Sequence, residues 1–239
     1  MLVAILSDIH GNIEALEAVW QDLAPLGIEQ VVCLGDVVGY GPNPEEAIIF
    51  VREKGMLCCL GNHELGIVSV SERDWFNDTA RKGLGLTARL LSSDSLKYMA
   101  TLPRFLCLEE ARFVHGFPPD SVTSYLFQVE EEEIASWFGS GEALTFVGHT
   151  HELGLVSWNG ATVERRELAR ERFVLDGRPC IVNAGSVGQP RDGNNNAKYL
   201  IWNTRTGLIE VRFVPYDIEL TVAKIRQRGF PEYYATRLW

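Results

Sequence analysis

The chain has 239 residues, 46% hydrophobic and 23% charged, and its 22 Lys and Arg against 32 Asp and Glu leave a net charge of −10. At roughly 150 residues per domain, that length holds one α/β domain or two small ones, with ample chain for a full core. The acidic balance excludes an extended nucleic-acid surface, which needs a basic stripe, and no apolar run approaches the roughly 20 residues that span a bilayer.

In chain order, Leu2–Leu6 reads as a buried strand that meets Asp8 without a preceding basic segment. It therefore does not read as a signal peptide, and a cytoplasmic location is expected. Ile13, Leu16, Ala18, Val19 and Leu23 recur at helical spacing until Pro25 and Gly27. Gln30–Leu34 is a strand, Pro44 opens a helix to about Lys54, and Met56–Leu60 is the next strand. This βαβαβ start predicts a parallel sheet.

Residues 70 to 103 lack strand runs and predict two or three helices ending at Pro103, a flank or cap bordering any cleft. Short strands follow: Phe105–Leu108, Arg112–His115, Leu144–Val147, Gly154–Trp158, Thr162–Leu168, Arg172–Leu175, Cys180–Val182, Tyr199–Asn203 and Leu208–Val214. Asn159-Gly160 and Asp176-Gly177 carry hairpin chemistry and predict antiparallel neighbours. Glu130 to Glu133 precede Ile134, Trp137 and Phe138, as acids at a helix N-terminus do. With no repeat or flexible linker, a single domain over 1–239 with two sheets is the economical expectation. The cysteines (Cys33, Cys58, Cys59, Cys107 and Cys180) form no C-x-x-C pair and read as small hydrophobes in a reducing compartment.

The chemistry gathers in polar clusters directly after apolar runs: Asp8-Ile9-His10-Gly11-Asn12, Gly35-Asp36, Gly61-Asn62-His63-Glu64, His115-Gly116 and Gly148-His149-Thr150-His151. Loops at the carboxyl ends of α/β strands converge on one crevice, so clusters spread over more than a hundred residues are expected to meet. On an extended segment, Asp8 and His10 share one side, as do His149 and His151, because strand side chains alternate. Carboxylate, imidazole and amide donors without thiolate suit Mn, Fe, Co, Ni or Zn.

This ordered set resembles the calcineurin-like metallophosphoesterases, in particular their small bacterial and archaeal branch. The resemblance runs from Asp8 to His151, and the loop from Asn183 to Arg191 is similar to that branch's closing segment. It implies an α/β fold, a four-layer α/β/β/α sandwich of two mixed sheets. It implies that Asp8, His10 and His151 hold one metal and Asn62, His115 and His149 a second, with Asp36 bridging. Cations kept ~3.5–4 Å apart share a hydroxide and clamp both oxygens of an in-line displacement at phosphorus.

His63, left without a metal, is then placed to protonate the leaving oxygen or stabilise the transition state. Glu64 is either solvent-facing or an orienting carboxylate. Tyr40, in a Gly- and Pro-rich turn, is placed to edge the substrate pocket. Arg191 either grips phosphoryl oxygens through its planar fork or anchors its loop.

The leading expectation is a phosphatase or phosphodiesterase using two divalent transition-metal ions on a small phosphorylated substrate, a nucleotide among the candidates, with no membrane partner and the oligomeric state open. A dinucleoside polyphosphate hydrolase is the alternative within enzymes. A metal-free, protein-binding scaffold of the same fold is the alternative outside them. An aspartyl nucleophile at Asp8, as in haloacid dehalogenase-like phosphatases, wants a second Asp where this chain has His10.

Overall fold

The computed structural model describes residues 1–239. Strands β1 (Leu2–Leu6), β2 (Gln30–Cys33), β3 (Leu57–Cys58), β9 (Arg172–Val174), β11 (Ala197–Asn203) and β12 (Leu208–Val214) form one sheet in the order β3-β2-β1-β11-β12-β9. The other contains β4 (Phe105–Leu108), β5 (Ala111–Val114), β6 (Leu144–Val147), β7 (Leu153–Trp158), β8 (Val163–Glu167) and β10 (Cys180–Ala184), in the order β4-β5-β6-β10-β7-β8. Both sheets are mixed. β1, β2 and β3 run parallel while β11 runs against β1, and β6 runs parallel to β5 and β10 while β7 opposes β10.

Residue alternation along these strands builds the layers. Val3 and Ile5 of β1 face Phe113, Phe146 and Val182 of the other sheet in a shared inner core. Ala4 and Leu6 face outward onto Leu16 and Val19 of α1 (Ile13–Leu23) and Ile48 of α2 (Pro44–Glu53). On the far side, Val114, Val147 and Ile181 pack against Ile134 and Phe138 of α6 (Glu131–Gly139). Central strands covered on both faces read as unbroken apolar runs, which is why β1 and β6 stand out in the sequence. The result is the four-layer α/β/β/α sandwich.

The predicted helical flank consists of a 3-10 turn at Val70–Trp75, then α4 (Asp78–Arg89) and α5 (Ser93–Ala100). With α3 (Asn62–Val68) it joins the outer face of the first sheet through Ile67, Phe76, Leu84 and Met99.

Three expectations need correction. Asn159-Gly160 does turn β7 into antiparallel β8, but Asp176-Gly177 is not a hairpin. Between β8 and β10 the chain crosses to the first sheet, where β9 pairs antiparallel with β12, and then crosses back. A turn dipeptide reverses the chain locally without choosing the strand that follows. Two helices that the sequence did not predict follow β12, α7 (Ile218–Gln227) and α8 (Glu232–Thr236). Their signals were present: the Asp217 carboxylate caps α7 by accepting from the Leu220 amide at 2.9 Å, and Val222 and Ile225 recur at helical spacing. The backbone at the site itself also departs from the extended conformation expected of it.

Candidate metal centre

The five polar clusters meet at the carboxyl ends of the parallel strands. Asp8 and His10 follow β1, Asp36 follows β2, and Asn62 and His63 open α3 after β3. His115 follows β5, and His149 and His151 follow β6. All eight are buried, each 3% exposed or less.

Asp8 and His10 do not continue an extended strand as expected. Their φ angles are +53° and +52°, Asp36 has +53°, Tyr40 +56°, His149 +67° and His151 +63°. Six of the seven non-glycine residues with positive φ therefore lie in this site. Such conformations cost of order 1–3 kcal/mol each for ordinary residues, less for Asp and His, and persist only where surrounding structure imposes them. The imposed bends nonetheless deliver the convergence that the spacing implied: His151 Nε2 lies 3.2 Å and His10 Nε2 3.6 Å from Asp8 Oδ1.

Each carboxylate has one oxygen tied down and one presented inward. Asp8 Oδ2 accepts from Ser7 Oγ at 2.6 Å and the His149 amide at 3.0 Å, whereas buried Oδ1 accepts no hydrogen bond. Asp36 Oδ1 accepts from the His63 amide at 2.9 Å, and its Oδ2 lies 3.3 Å from His115 Nε2, 3.8 Å from His10 Nε2 and 3.9 Å from His63 Nε2. Asp36 thus sits between the histidines of both halves. Asn62 Oδ1 completes the second half, 3.0 Å from His115 Nε2.

Four histidines are oriented from outside by backbone carbonyls. His10 Nδ1 meets the Val38 carbonyl at 3.0 Å, His115 Nδ1 that of Leu34 at 3.1 Å, His149 Nε2 that of Thr123 at 3.1 Å and His151 Nδ1 that of Gln189 at 2.6 Å. A carbonyl only accepts, so each of these ring nitrogens carries a proton, and the other turns inward, where in the neutral ring it presents a lone pair. Those inward nitrogens approach in pairs, 3.1 Å between His10 and His151 and 3.1 Å between His115 and His149. Lone pairs facing one another beside carboxylate oxygens call for a cation, and this is the outer-shell arrangement of histidine metal ligands. The donor set fits divalent transition-metal ions, with Asp8, His10 and His151 as one grouping and Asp36, His115 and His149 as another.

A third grouping of His10, Asp36 and His63 is also close enough to share an ion. His63 differs from the other four: its buried Nδ1 has no protein partner to set its tautomer. Its ring sits directly against Gly39, where a Cβ would come within 2.0 Å of Nδ1. Glu64 is buried, and its carboxylate accepts from the Asp36 amide at 2.8 Å, the Gly61 amide at 2.9 Å and the Val38 amide at 3.0 Å. It is the orienting carboxylate of the two readings open in the sequence.

Burial pushes His63 and His149 down to about 3 and His151 to about 4. Burial opposes the charged form of His115 too, but the carboxylates of Asp36 and Asp8 raise it to about 9. Asp8 is held well below the usual carboxylate range despite its burial, chiefly by His151 and His10, and Asp36 is lowered by His115 and His63.

The Asn183–Arg191 loop closes one side. Ser186 Oγ donates to the Asp8 carbonyl at 2.8 Å and Asn12 Nδ2 to the Gly188 carbonyl at 2.9 Å. Arg191 reaches the cleft, its guanidinium 5.8 Å from the Tyr40 ring centre and its Nη2 donating to Gln189 Oε1 at 3.1 Å. Its buried Nε has no protein partner. Beyond the loop, buried Lys198 donates to Asp192 Oδ1 at 2.6 Å and pins the segment carrying Arg191. The open side is a cleft of about 260 Å³ lined by Asp36, Asn62, His63, His149, His151 and Arg191 below, and by Tyr40, Trp75, Phe76, Asn77, Ala80 and Tyr125 around its walls. The sequence reading missed Trp75 and Tyr125, isolated loop aromatics outside any motif.

The model of the calcineurin-like phosphoesterase superfamily domain matches residues 1–207. An uncharacterised protein of Methanocaldococcus jannaschii is 35% identical over all of this chain and 97% of its own length. The crystal structure of a metallophosphoesterase from Sphaerobacter thermophilus is 32% identical, covers 100% of this chain and 98% of its own, and superposes with a TM-score of 0.86. A hypothetical protein from Pyrococcus horikoshii, at 21% identity, with 100% of this chain and 97% of its own covered and a TM-score of 0.76, shares the fold. The chain belongs to the calcineurin-like phosphoesterase superfamily.

Proposed function

We propose that this protein hydrolyses phosphoesters with two divalent cations. Asp8, His10 and His151 hold one, Asn62, His115 and His149 the other, and Asp36 is shared. The observation that carries this reading is the set of four histidines, each donating one ring N–H to a backbone carbonyl and turning its other nitrogen toward an anionic centre. Cations held there supply Lewis-acid polarisation of the phosphoryl oxygen and lower the pKa of a water.

The protein's own groups do the rest. Arg191 and His63 flank the cleft on its phosphoryl side. Arg191 brings a permanently charged fork and His63 a proton for the leaving oxygen or a hydrogen bond to a phosphoryl oxygen. Burial keeps His63 neutral before substrate arrives. The approach of a phosphoryl dianion raises its affinity for a proton. Glu64 holds the Asp36 and Gly61 amides and so aims the shared carboxylate.

The test is a panel of aryl and alkyl phosphomonoesters and phosphodiesters on metal-stripped protein reloaded with Mn, Ni, Zn or Mg. Hydrolysis is expected only after loading, with two ions per chain by elemental analysis. Full activity in excess chelator overturns the reading. Failure to retain any metal under every loading condition returns the chain to the scaffold alternative.

A further inference from the structure

The cleft has two unlike sides. Its base is polar, lined by the Arg191 guanidinium group and by His63 beside the Asp36 carboxylate. Its outer wall is a row of rings, Phe76 to Trp75 at 5.2 Å between centres and Trp75 to Tyr125 at 6.1 Å. Tyr125 lies flat on His149, at 4.0 Å and 16° between planes, so the row starts at the proposed metal centre and leads outward.

Trp75 is held in place yet left open. The adjoining Phe76 is buried with its ring centre 5.2 Å from that of His63, the planes near perpendicular, and a Cβ on Gly66 would come within 2.7 Å of it. Arg73, in the same turn, donates to the Gly66 carbonyl at 2.7 Å and the Ile67 carbonyl at 3.1 Å, closing the end of α3. Against this anchoring, the indole remains 45% exposed while lining the cleft. A fixed, half-uncovered indole next to anion-binding groups matches a ligand that carries a flat ring beside a phosphoryl group. Asn77, also on the wall, commits its Oδ1 to the Ala80 amide at 2.9 Å, which leaves its amide N–H groups for a ring heteroatom.

We propose that Trp75, flanked by Tyr125, forms a stacking subsite for an aromatic ring of the substrate, making aromatic phosphoesters, from a nucleoside or a phenol, the preferred class. This rests on the phosphoesterase reading for the placement of the phosphoryl group. The test is equilibrium binding, by calorimetry on the metal-loaded protein, of phosphonates whose C–P bond is not an ester and stays intact. Phenylphosphonate is expected to bind about tenfold tighter than methylphosphonate, the scale of one stacking contact. Trp75→Ala is expected to abolish that ratio and Trp75→Phe to retain most of it. Equal binding of the two phosphonates by the unaltered protein overturns the subsite, as does a ratio that survives Trp75→Ala. The phosphonate analogue of adenosine 5′-monophosphate separates the sources, a further gain over phenylphosphonate assigning the ring to a nucleobase and a loss assigning it to a phenol. Because no hydrolysis is read, a Trp75-dependent ratio in a protein that cleaves no ester leaves the subsite standing and removes the phosphoesterase reading. Active enzyme without the ratio does the reverse.

Discussion

The base of the cleft and its wall are built by opposite means. The base consists of buried polar side chains at strand ends, most of them on backbone bent into the left-handed region, its aspartates and four of its histidines oriented by carbonyls or amides. The wall consists of aromatic rings on a 3-10 turn and a loop, and its outermost member, Trp75, is exposed. Where charges must converge, the chain accepts strained backbone and unpaired lone pairs; where a surface only has to be flat and apolar, ordinary packing suffices. Substitutions in the base should therefore abolish chemistry, whereas those in the wall should shift preference among substrates.

The strongest test of that contrast is Asp36→Asn. It removes the charge placed between both halves, so metal content is expected to fall at both positions and turnover by more than about 10⁴-fold, each cation contributing several kcal/mol. His10→Ala, by comparison, should impair mainly one position. Two fully occupied sites in Asp36→Asn by elemental analysis would contradict the shared role.

His63→Ala is expected to lower turnover by about 10²–10⁴-fold with both metals kept. The loss should be larger for alkyl than for aryl esters, because a nitrophenolate departs without a proton. An equal loss across leaving groups would make His63 a stabiliser of the phosphoryl oxygens, and loss of metal would make it a ligand.

The two halves of the base should also differ in pH response. In the metal-free protein His115 titrates at about 9, so at pH 7 it holds a proton that an incoming cation must displace, whereas His151, at about 4, holds none. Affinity at the His115 half should rise about tenfold per pH unit from 7 toward 9 and then level off, with little change at the His151 half. Metal titrations showing the same slope for both ions would break the distinction.

The smallest effect is expected at the junction of base and wall. Arg191→Lys should raise KM about tenfold with metal content unchanged, because a point charge cannot replace the planar fork. Unchanged kinetics would reduce Arg191 to a loop anchor through Gln189.

Much of this was legible in the sequence because it is local. Runs such as Leu2–Leu6 and Leu144–Val147 declare strands by being apolar throughout, and they are strands at those bounds. Asp8, Asp36, Asn62 and the five histidines follow such runs, and strand ends in a mixed α/β sheet open onto one crevice, where the structure brings them together. Three-dimensional packing decided the rest. Asp176-Gly177 specifies a turn, but whether the next strand pairs with β9 depends on which sheet edge is free, and β9 lies on the β12 edge. Residue spacing implied that Asp8 and His10 share a side, yet left-handed φ angles produce their convergence, imposed by contacts such as the His10 amide donating to the Asp36 carbonyl at 2.8 Å. Glu64 orients the site because three amides from two separate loops surround it, and Trp75 and Tyr125 face each other across 50 residues of chain. Composition and spacing determine which residues are buried and which carry charge; the distances that turn them into a site arise only when distant segments pack.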